Sequence, residues 1–117
     1  MNKEESRTDL GIVRIHKNVI ASIAAVASIE AEGVKRVGGN LKSGVLELIG
    51  KKTYFAINVE FDKAGDVKVE IPLVIKYGYN IPNVADRVQE NVRNALEKMT
   101  NLSIKDINIS IQGIERG

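Results

Sequence analysis

The sequence predicts an α+β domain: a small sheet, mixed or antiparallel, covered on one face by two main helices. Three observations predict this class. Apolar residues recur every three or four positions over 81–99, as they do along one face of a helix. They alternate with polar residues over 53–61, 67–77 and 107–112, as they do along half-buried strands. A further stretch, 18–29, is apolar nearly all round and is the second helix.

The helix over 81–99 has the clearest pattern. Pro82 suits its first turn, where the missing N–H has no partner, and Asn80 or Ile81 is then the capping residue. We expect the apolar stripe to lie on the sheet. Its members are Ile81, Val84, Ala85, Val88, Val92, Ala95, Leu96 and Met99.

The N-terminal third is predicted as a flexible tail over 1–9, then a short strand over 10–15, with His16 just before the first helix. The helix over 18–29 has only Ser22 and Ser28 as polar residues after its first position, so it must be covered on more than one side. Gly33 ends this segment because glycine accepts a positive φ, and a strand over 34–37 follows. One domain therefore spans 10–114.

The middle of the chain holds an irregular stretch followed by a hairpin. Gly38, Gly39 and Asn40 predict a turn, and 45–49 predicts one or two helical turns. A loop over 62–66 then joins the two alternating strands. Pro72 lies inside the second of these strands and cannot donate to a ladder, so it implies an edge position or a bulge. The predicted order is β-α-β-β-β-α-β.

Composition excludes several classes of protein. The chain has 117 residues, 44% of them hydrophobic, which is enough for one core without metal or disulfide staples. It has no cysteine, which excludes a disulfide scaffold and thiolate chemistry and fits a reducing compartment such as the cytoplasm. Its first residues lack the apolar segment of a signal peptide, and no run approaches the roughly 20 apolar residues that span a bilayer.

A search for chemistry finds no catalytic, metal or cofactor site. The glycine spacing over 39–44 is that of a phosphate loop, but Val45 and Leu46 stand where lysine and serine or threonine are needed. His16 is the only histidine, and it is expected to cap a helix or face solvent. Asp62 and Asp66 lack the further ligands of a calcium loop, which favours turn chemistry. We therefore expect no enzyme and no cofactor.

Two groups of residues are candidates for contacts. The first is a basic segment that could meet phosphate, RNA or anionic headgroups, or remain a solvated loop; it contains Lys35, Arg36, Lys42, Lys51 and Lys52 against the single acidic Glu47. The second is an oligomer or partner surface on the apolar helix and on the strand with the proline, formed by Ile20, Ile23, Val26 and Val74. Few aromatic residues are left to stack on bases, which weighs against nucleic acid.

Two sets of motifs resemble the alkaline shock protein family over residues 10–114. The C-terminal set consists of Tyr77-Gly78, Ile81, Val84, Val88-Gln89, Val92, the run Met99 to Leu102 and the run Ile107 to Ile114. The N-terminal set consists of Gly11 to Ile15, Val19-Ile20, Ile23-Ala24, Ala27 and Gly33-Val34. The chain departs from the family pattern at Asn101, where glycine is usual, and at His16, where a serine-like cap is usual.

The resemblance implies a cytoplasmic protein of Gram-positive bacteria that belongs to the envelope stress response and has no established enzymatic activity. Some members of the family lie at the membrane by binding an anchoring protein, and some self-associate. We therefore expect a non-enzymatic interaction or scaffold module with a protein partner. The alternatives are a nucleic-acid-binding module that uses the basic segment and a small-ligand regulatory domain.

Overall fold

The computed structural model describes residues 3–38 and 56–116, with side chains from residue 16 onwards. In this part of the chain the elements are, in order, α1 (Lys3–Glu30), β1 (Val34–Val37), β2 (Asn58–Phe61), β3 (Val67–Lys76), α2 (Ile81–Met99) and β4 (Ile104–Glu115). The predicted α+β class is confirmed, because both helices pack on one face of one sheet.

The sheet is built around β3. β4 runs parallel to β3 along its whole length, and α2 forms the crossover that a parallel pair requires. On the other edge of β3, β2 pairs antiparallel with its first half and β1 pairs antiparallel with its second half. The sheet is therefore mixed, and β3 lies at its centre.

The core lies between this sheet and the two helices. The odd-numbered side chains of β3, from Val67 to Ile75, are at most 1% exposed. Against them α2 places Val84, Val88, Val92 and Leu96, which confirms the predicted face of this helix. Small residues of α1, such as Ala24 and Ala27, allow it to pack closely beside α2. Met99 is the exception within the predicted stripe, since it is 70% exposed.

Local signals place the ends of α2 and the hairpin as predicted. The side chain of Asn80 accepts a hydrogen bond from the N–H of Asn83 at 3.0 Å, so Asn80 is the capping residue. In the loop after β2, Oδ1 of Asp62 accepts from the N–H groups of Asp66 and Ala64, each at 2.9 Å. These bonds lower the pKa of Asp62 and confirm its role in the turn.

The N-terminal prediction is wrong in its secondary structure. Residues 10–15 are helical instead of forming a strand, and α1 already begins at Lys3, inside the predicted tail. No glycine or proline separates Ile15 from the apolar helix, so the helix continues through this region. Each residue added to an existing helix brings one more hydrogen bond and needs no new nucleation. His16 consequently lies within α1 as an exposed residue and does not cap it.

The edge position predicted for the strand with Pro72 is also wrong, because β3 has partners on both sides. The carbonyl of Pro72 accepts from the N–H of Gly38 at 2.9 Å, so the nitrogen of Pro72 faces the same side. The pairing with β1 ends opposite Leu73, and the pairing with β2 begins opposite Glu70. The missing N–H therefore falls in the gap between two partner strands. An irregularity is present beside it, as a register shift between Leu73 and Val74 in the β3–β4 pairing.

The strand predicted over 53–61 is confirmed for Asn58–Phe61. The other predictions for this region concern the turn beyond Gly38, the glycine spacing over 39–44 and the helical turns over 45–49. All three lie outside the residues that the structure describes.

Candidate interaction surfaces

An apolar stripe on the solvent side of the helices forms the first surface, which we name the helix face. Its members on α1 recur every three or four residues and are joined by two residues of the last turns of α2: Val19, Ile23, Val26, Ile29, Ala95 and Met99. Val26 is 60% exposed and Met99 is 70% exposed. Apolar side chains of this size, set side by side in water, are typical of contact surfaces.

The helix face encloses a groove of about 280 Å³ between α1 and α2. Ile23, Val26, Ala95 and Met99 supply its apolar walls, and Glu30 lies at its rim. An adjoining hollow is lined by Lys98 together with Met99. Apolar residues surrounded by charged groups are the usual arrangement of a protein interface, in which methionine is enriched.

The outer edge of β4 forms the second surface. Two side chains of α2 cover its first half: Nε2 of Gln89 donates to the carbonyl of Ile107 at 2.8 Å, and Nη1 of Arg93 donates to that of Ile104 at 2.9 Å. In its second half, the segment 109–114, no strand or side chain of the described chain pairs with this edge. Ile111 and Ile114 in this segment are 36% and 50% exposed.

The face of the sheet opposite the helices has an ion pair that joins its two edges. Arg36 of β1 binds Glu115 of β4 with two hydrogen bonds, Nη1–Oε1 at 2.7 Å and Nη2–Oε2 at 2.5 Å. Arg36 lies opposite Val74, and Glu115 lies opposite Lys76, so the pair crosses over β3. These bonds lower the pKa of Glu115 and raise that of Arg36.

The structure describes only part of the predicted basic segment. Lys35 is exposed, whereas Arg36 is half-buried and bound to Glu115. Lys42, Lys51 and Lys52 lie outside the described residues. Arg36 thus has a structural role between two strands, and an anion-binding role for the segment stays a prediction.

Two of the four residues predicted to form a partner surface lie at the surface of the domain, and two do not. Ile20 and Val74 are 1% and 0% exposed, so neither is available on the surface. Val74 lies in the central strand and not at an edge, which explains this error. Val26 is exposed and Ile23 half-buried, and both lie on the helix face.

Sequence reasoning did not name the other exposed apolar residues. Val19 and Ile29 follow the same helical spacing as Val26. This spacing could have predicted that the three residues share one face of the helix. The alternation in β4 predicts burial for Ile111. Its exposure depends on how far α2 extends along the strand, which no local pattern indicates.

A polar groove of about 560 Å³ runs between α2 and β4 and is open to solvent. Its lining residues are Asp86, Gln89, Glu90, Arg93, Lys105, Asp106, Ile107 and Asn108. Gln89 and Arg93 already bind carbonyls of β4, so their groups serve the fold. Across residues 16–38 and 56–116, whose side chains the structure describes, no three side chains of the metal-binding types come together. No helix within residues 3–38 and 56–116 is long and apolar enough to cross a membrane.

The described residues thus form a small α+β domain with an exposed apolar stripe on its helices and a strand edge that no other described strand pairs with. The model of the alkaline shock protein 23 family, described as having a cell envelope-related function, matches residues 5–116. The chain belongs to this family, which confirms the resemblance found in the sequence motifs.

Curated relatives agree with this assignment. The chain is 40% identical over 116 residues to the uncharacterized protein YqhY of Bacillus subtilis (strain 168), covering 98% of this chain and 85% of YqhY. It is 27% identical to the uncharacterized protein YloU of the same organism, and the match covers 94% of this chain and 93% of YloU. It is 26% identical over 101 residues to the stress response regulator gls24 homolog of Streptococcus pyogenes serotype M3, covering 83% of this chain and 55% of that protein.

Solved structures resemble the fold at low sequence identity. A variant of MamM CTD is 9% identical with a TM-score of 0.55, covering 85% of this chain and 93% of that one. Another variant is 12% identical with a TM-score of 0.51, and the match covers 84% of this chain and 94% of that one. This likeness concerns the fold alone.

Proposed function

We propose that this protein is a non-enzymatic module of the cell-envelope stress response that acts by binding proteins. It self-associates or docks on a membrane-anchored partner, and it works in the cytoplasm or at the inner side of the membrane through that partner. The helix face is the observation that carries the proposal, with Val26 at 60% and Met99 at 70% exposure. Membership of an envelope-related family supports the setting.

Burial of the helix face provides the free energy for such a contact. Complete burial of one valine or methionine side chain stabilises a complex by about 1.5–3 kcal/mol. Several such side chains share one stripe, and the groove beside them accepts a side chain of the partner. Glu30 and Lys98 at its margins supply both signs of charge, which favour a defined orientation of the partner.

Crosslinking in living cells tests this proposal. A photoreactive amino acid placed at Val26, and separately at Met99, should give discrete adducts either with a second copy or with a protein of the envelope fraction. Lys63 is the control position, because it is exposed in the loop after β2. The adduct formed at Val26 should also weaken when Met99→Lys is added, since both residues line the same groove.

Two results would contradict the proposal. One is an equal yield of adducts at Lys63 and at Val26. The other is an adduct at Val26 that is insensitive to Met99→Lys in a variant with unchanged thermal unfolding.

A further inference from the structure

We propose that the second half of β4 pairs antiparallel with β4 of a second copy, so that two sheets join into one. This inference concerns a different surface from the helix face. It therefore holds or fails independently of whether the helix face binds a partner.

The backbone of β4 offers unpaired groups where this contact would form. The carbonyls of Ile104 and Ile107 are covered by Arg93 and Gln89. Backbone groups of alternate residues point to the same side of a strand, so those of Ile109 and Ile111 point outward like those of Ile107. Within the described chain nothing binds these two residues on that side. An unpaired strand edge is a ready template for another strand.

The composition of the edge favours a second copy as the occupant. Proteins usually protect an open edge with charged residues, proline or a covering element. In β4, the charged residues Lys105 and Asp106 lie in the half that α2 already covers. The segment 109–114 contains no charge and no proline. Two copies of such a segment meet without repulsion.

One register pairs the outward backbone groups of Ile109 and Ile111 in both copies. With Ser110 opposite its own counterpart, Ile109 lies opposite Ile111 of the second copy, and Ile111 lies opposite Ile109. Each pair exchanges two N–H···O=C bonds, so four bonds form across the twofold axis.

This pairing also extends the core. Ile109 already packs partly against the core, and Ile111 is 36% exposed beside it. In the proposed register these side chains lie next to their counterparts on the helix-covered face and shield each other from water. On the opposite face, Nε2 of Gln112 donates to Oγ of Ser110 at 2.7 Å, so this face stays polar.

A disulfide tests the register directly, because the natural chain has no cysteine. Ser110 and its counterpart form a non-hydrogen-bonded pair with Cα atoms about 4.5 Å apart, within the range of a disulfide. Ser110→Cys should therefore form a covalent dimer under mild oxidation. Gln112→Cys is the matched control on the same face. Its counterpart is displaced by four residues, about 13 Å along the strand, and should not crosslink.

Solution mass tests the same contact without a crosslink. The wild type should exceed 12.8 kDa at high concentration and approach that mass on dilution. Ile111→Lys should stay at the monomer mass with an unchanged circular dichroism spectrum, because a lysine at the edge opposes pairing. If this variant unfolds, the two cysteine variants decide the question.

The inference is overturned if the wild type is monomeric at every concentration, or if Ser110→Cys crosslinks no faster than Gln112→Cys. A dimer that persists in Ile111→Lys but is lost in Val26→Asp would also overturn it. That result would assign self-association to the helix face and leave the proposed function intact.

Discussion

Gly33 lies where the end of α1 approaches the start of α2. Its φ is +99°, a conformation that residues with a Cβ rarely adopt. A Cβ at this position would lie 2.7 Å from Cγ2 of Val84 and 2.8 Å from Cδ1 of Tyr79. The close contact between the two helical segments therefore requires glycine for two separate reasons.

Gly33→Ala should lower the free energy of unfolding by about 2 kcal/mol or more, since strain of φ and a steric clash add together. Gly65→Ala is the control, because Gly65 has φ +85° and nothing within 4 Å of an added Cβ. Its free energy of unfolding should fall by about 1 kcal/mol, because only the strain of the positive φ contributes. Urea unfolding measures both values. Equal losses would show that the contact with Val84 relaxes without cost.

The ion pair between Arg36 and Glu115 makes stability depend on pH. The bonds from Arg36 lower the pKa of Glu115 below its ordinary value of 4.5. The stabilisation is therefore complete above pH 4.5 and is lost as the pH falls through the lower pKa of the folded state.

At pH 7 the melting temperature of Glu115→Gln should be lower than that of the wild type. This gap in melting temperature should close as the pH falls below 4.5. Thermal unfolding over a pH series measures this change. Glu97→Gln, at an exposed position of α2, should melt with the wild type throughout. A gap at Glu115 that stays constant down to acid pH would mean that the charge of this residue does not stabilise the fold.

At the scale of elements, α2 has two functions in the fold. One face buries four apolar side chains on the sheet. A neighbouring side places Gln89 and Arg93 on carbonyls of β4 and so covers half of that strand edge. The position of α2 thus decides both how the core closes and which part of β4 remains open.

Val92→Asp should lower the free energy of unfolding by about 3 kcal/mol or more, because Val92 is 0% exposed and an unpaired carboxylate would be buried there. Asn94→Asp adds the same charge at an exposed position of α2 and should change stability by less than about 0.5 kcal/mol. Arg93 is unsuitable as the control, since it binds the carbonyl of Ile104. Similar losses in the two variants, measured in urea, would show that the assigned face of α2 is wrong.

At the scale of the whole molecule, β3 lies between partner strands on both edges and beneath both helices. Its odd-numbered N–H groups face β4, as the bonds from Val67 to Ser103 and from Tyr77 to Glu115 show. The outward N–H groups of β4 belong to the same sheet but lack such partners in the described chain. The backbone amide protons of β3 should therefore be better protected from exchange with solvent than the outward amide protons of β4.

Amide hydrogen exchange in dilute solution should be slowest at Ile71 and Leu73 and much faster at Ile109 and Ile111. NMR of the native protein measures each site. Protection of Ile109 and Ile111 should rise with protein concentration if β4 pairs with a second copy. Strong protection at these residues in the dilute monomer would mean that another segment of the chain covers the edge.

The amino-acid pattern was enough to predict the α+β class, the buried face of α2, the hairpin and its turn at Asp62. These features follow from local periodicity, which records which side chains share a face of a helix or strand. The capping role of Asn80 also acts over three residues only. The family motifs likewise lie in order along the chain and were recognised without the fold.

No local pattern predicted the central place of β3, the burial of Ile20 and Val74, or the exposure of Ile111 and Met99, all of which are set by the packing of the fold. This packing also brought together Arg36 and Glu115, which are 79 residues apart in the chain. The physical reason is that periodicity specifies a face but not its neighbour. Whether an apolar face lies against a helix, another strand or water depends on contacts between distant segments, and those contacts set the surfaces through which we propose that this protein acts.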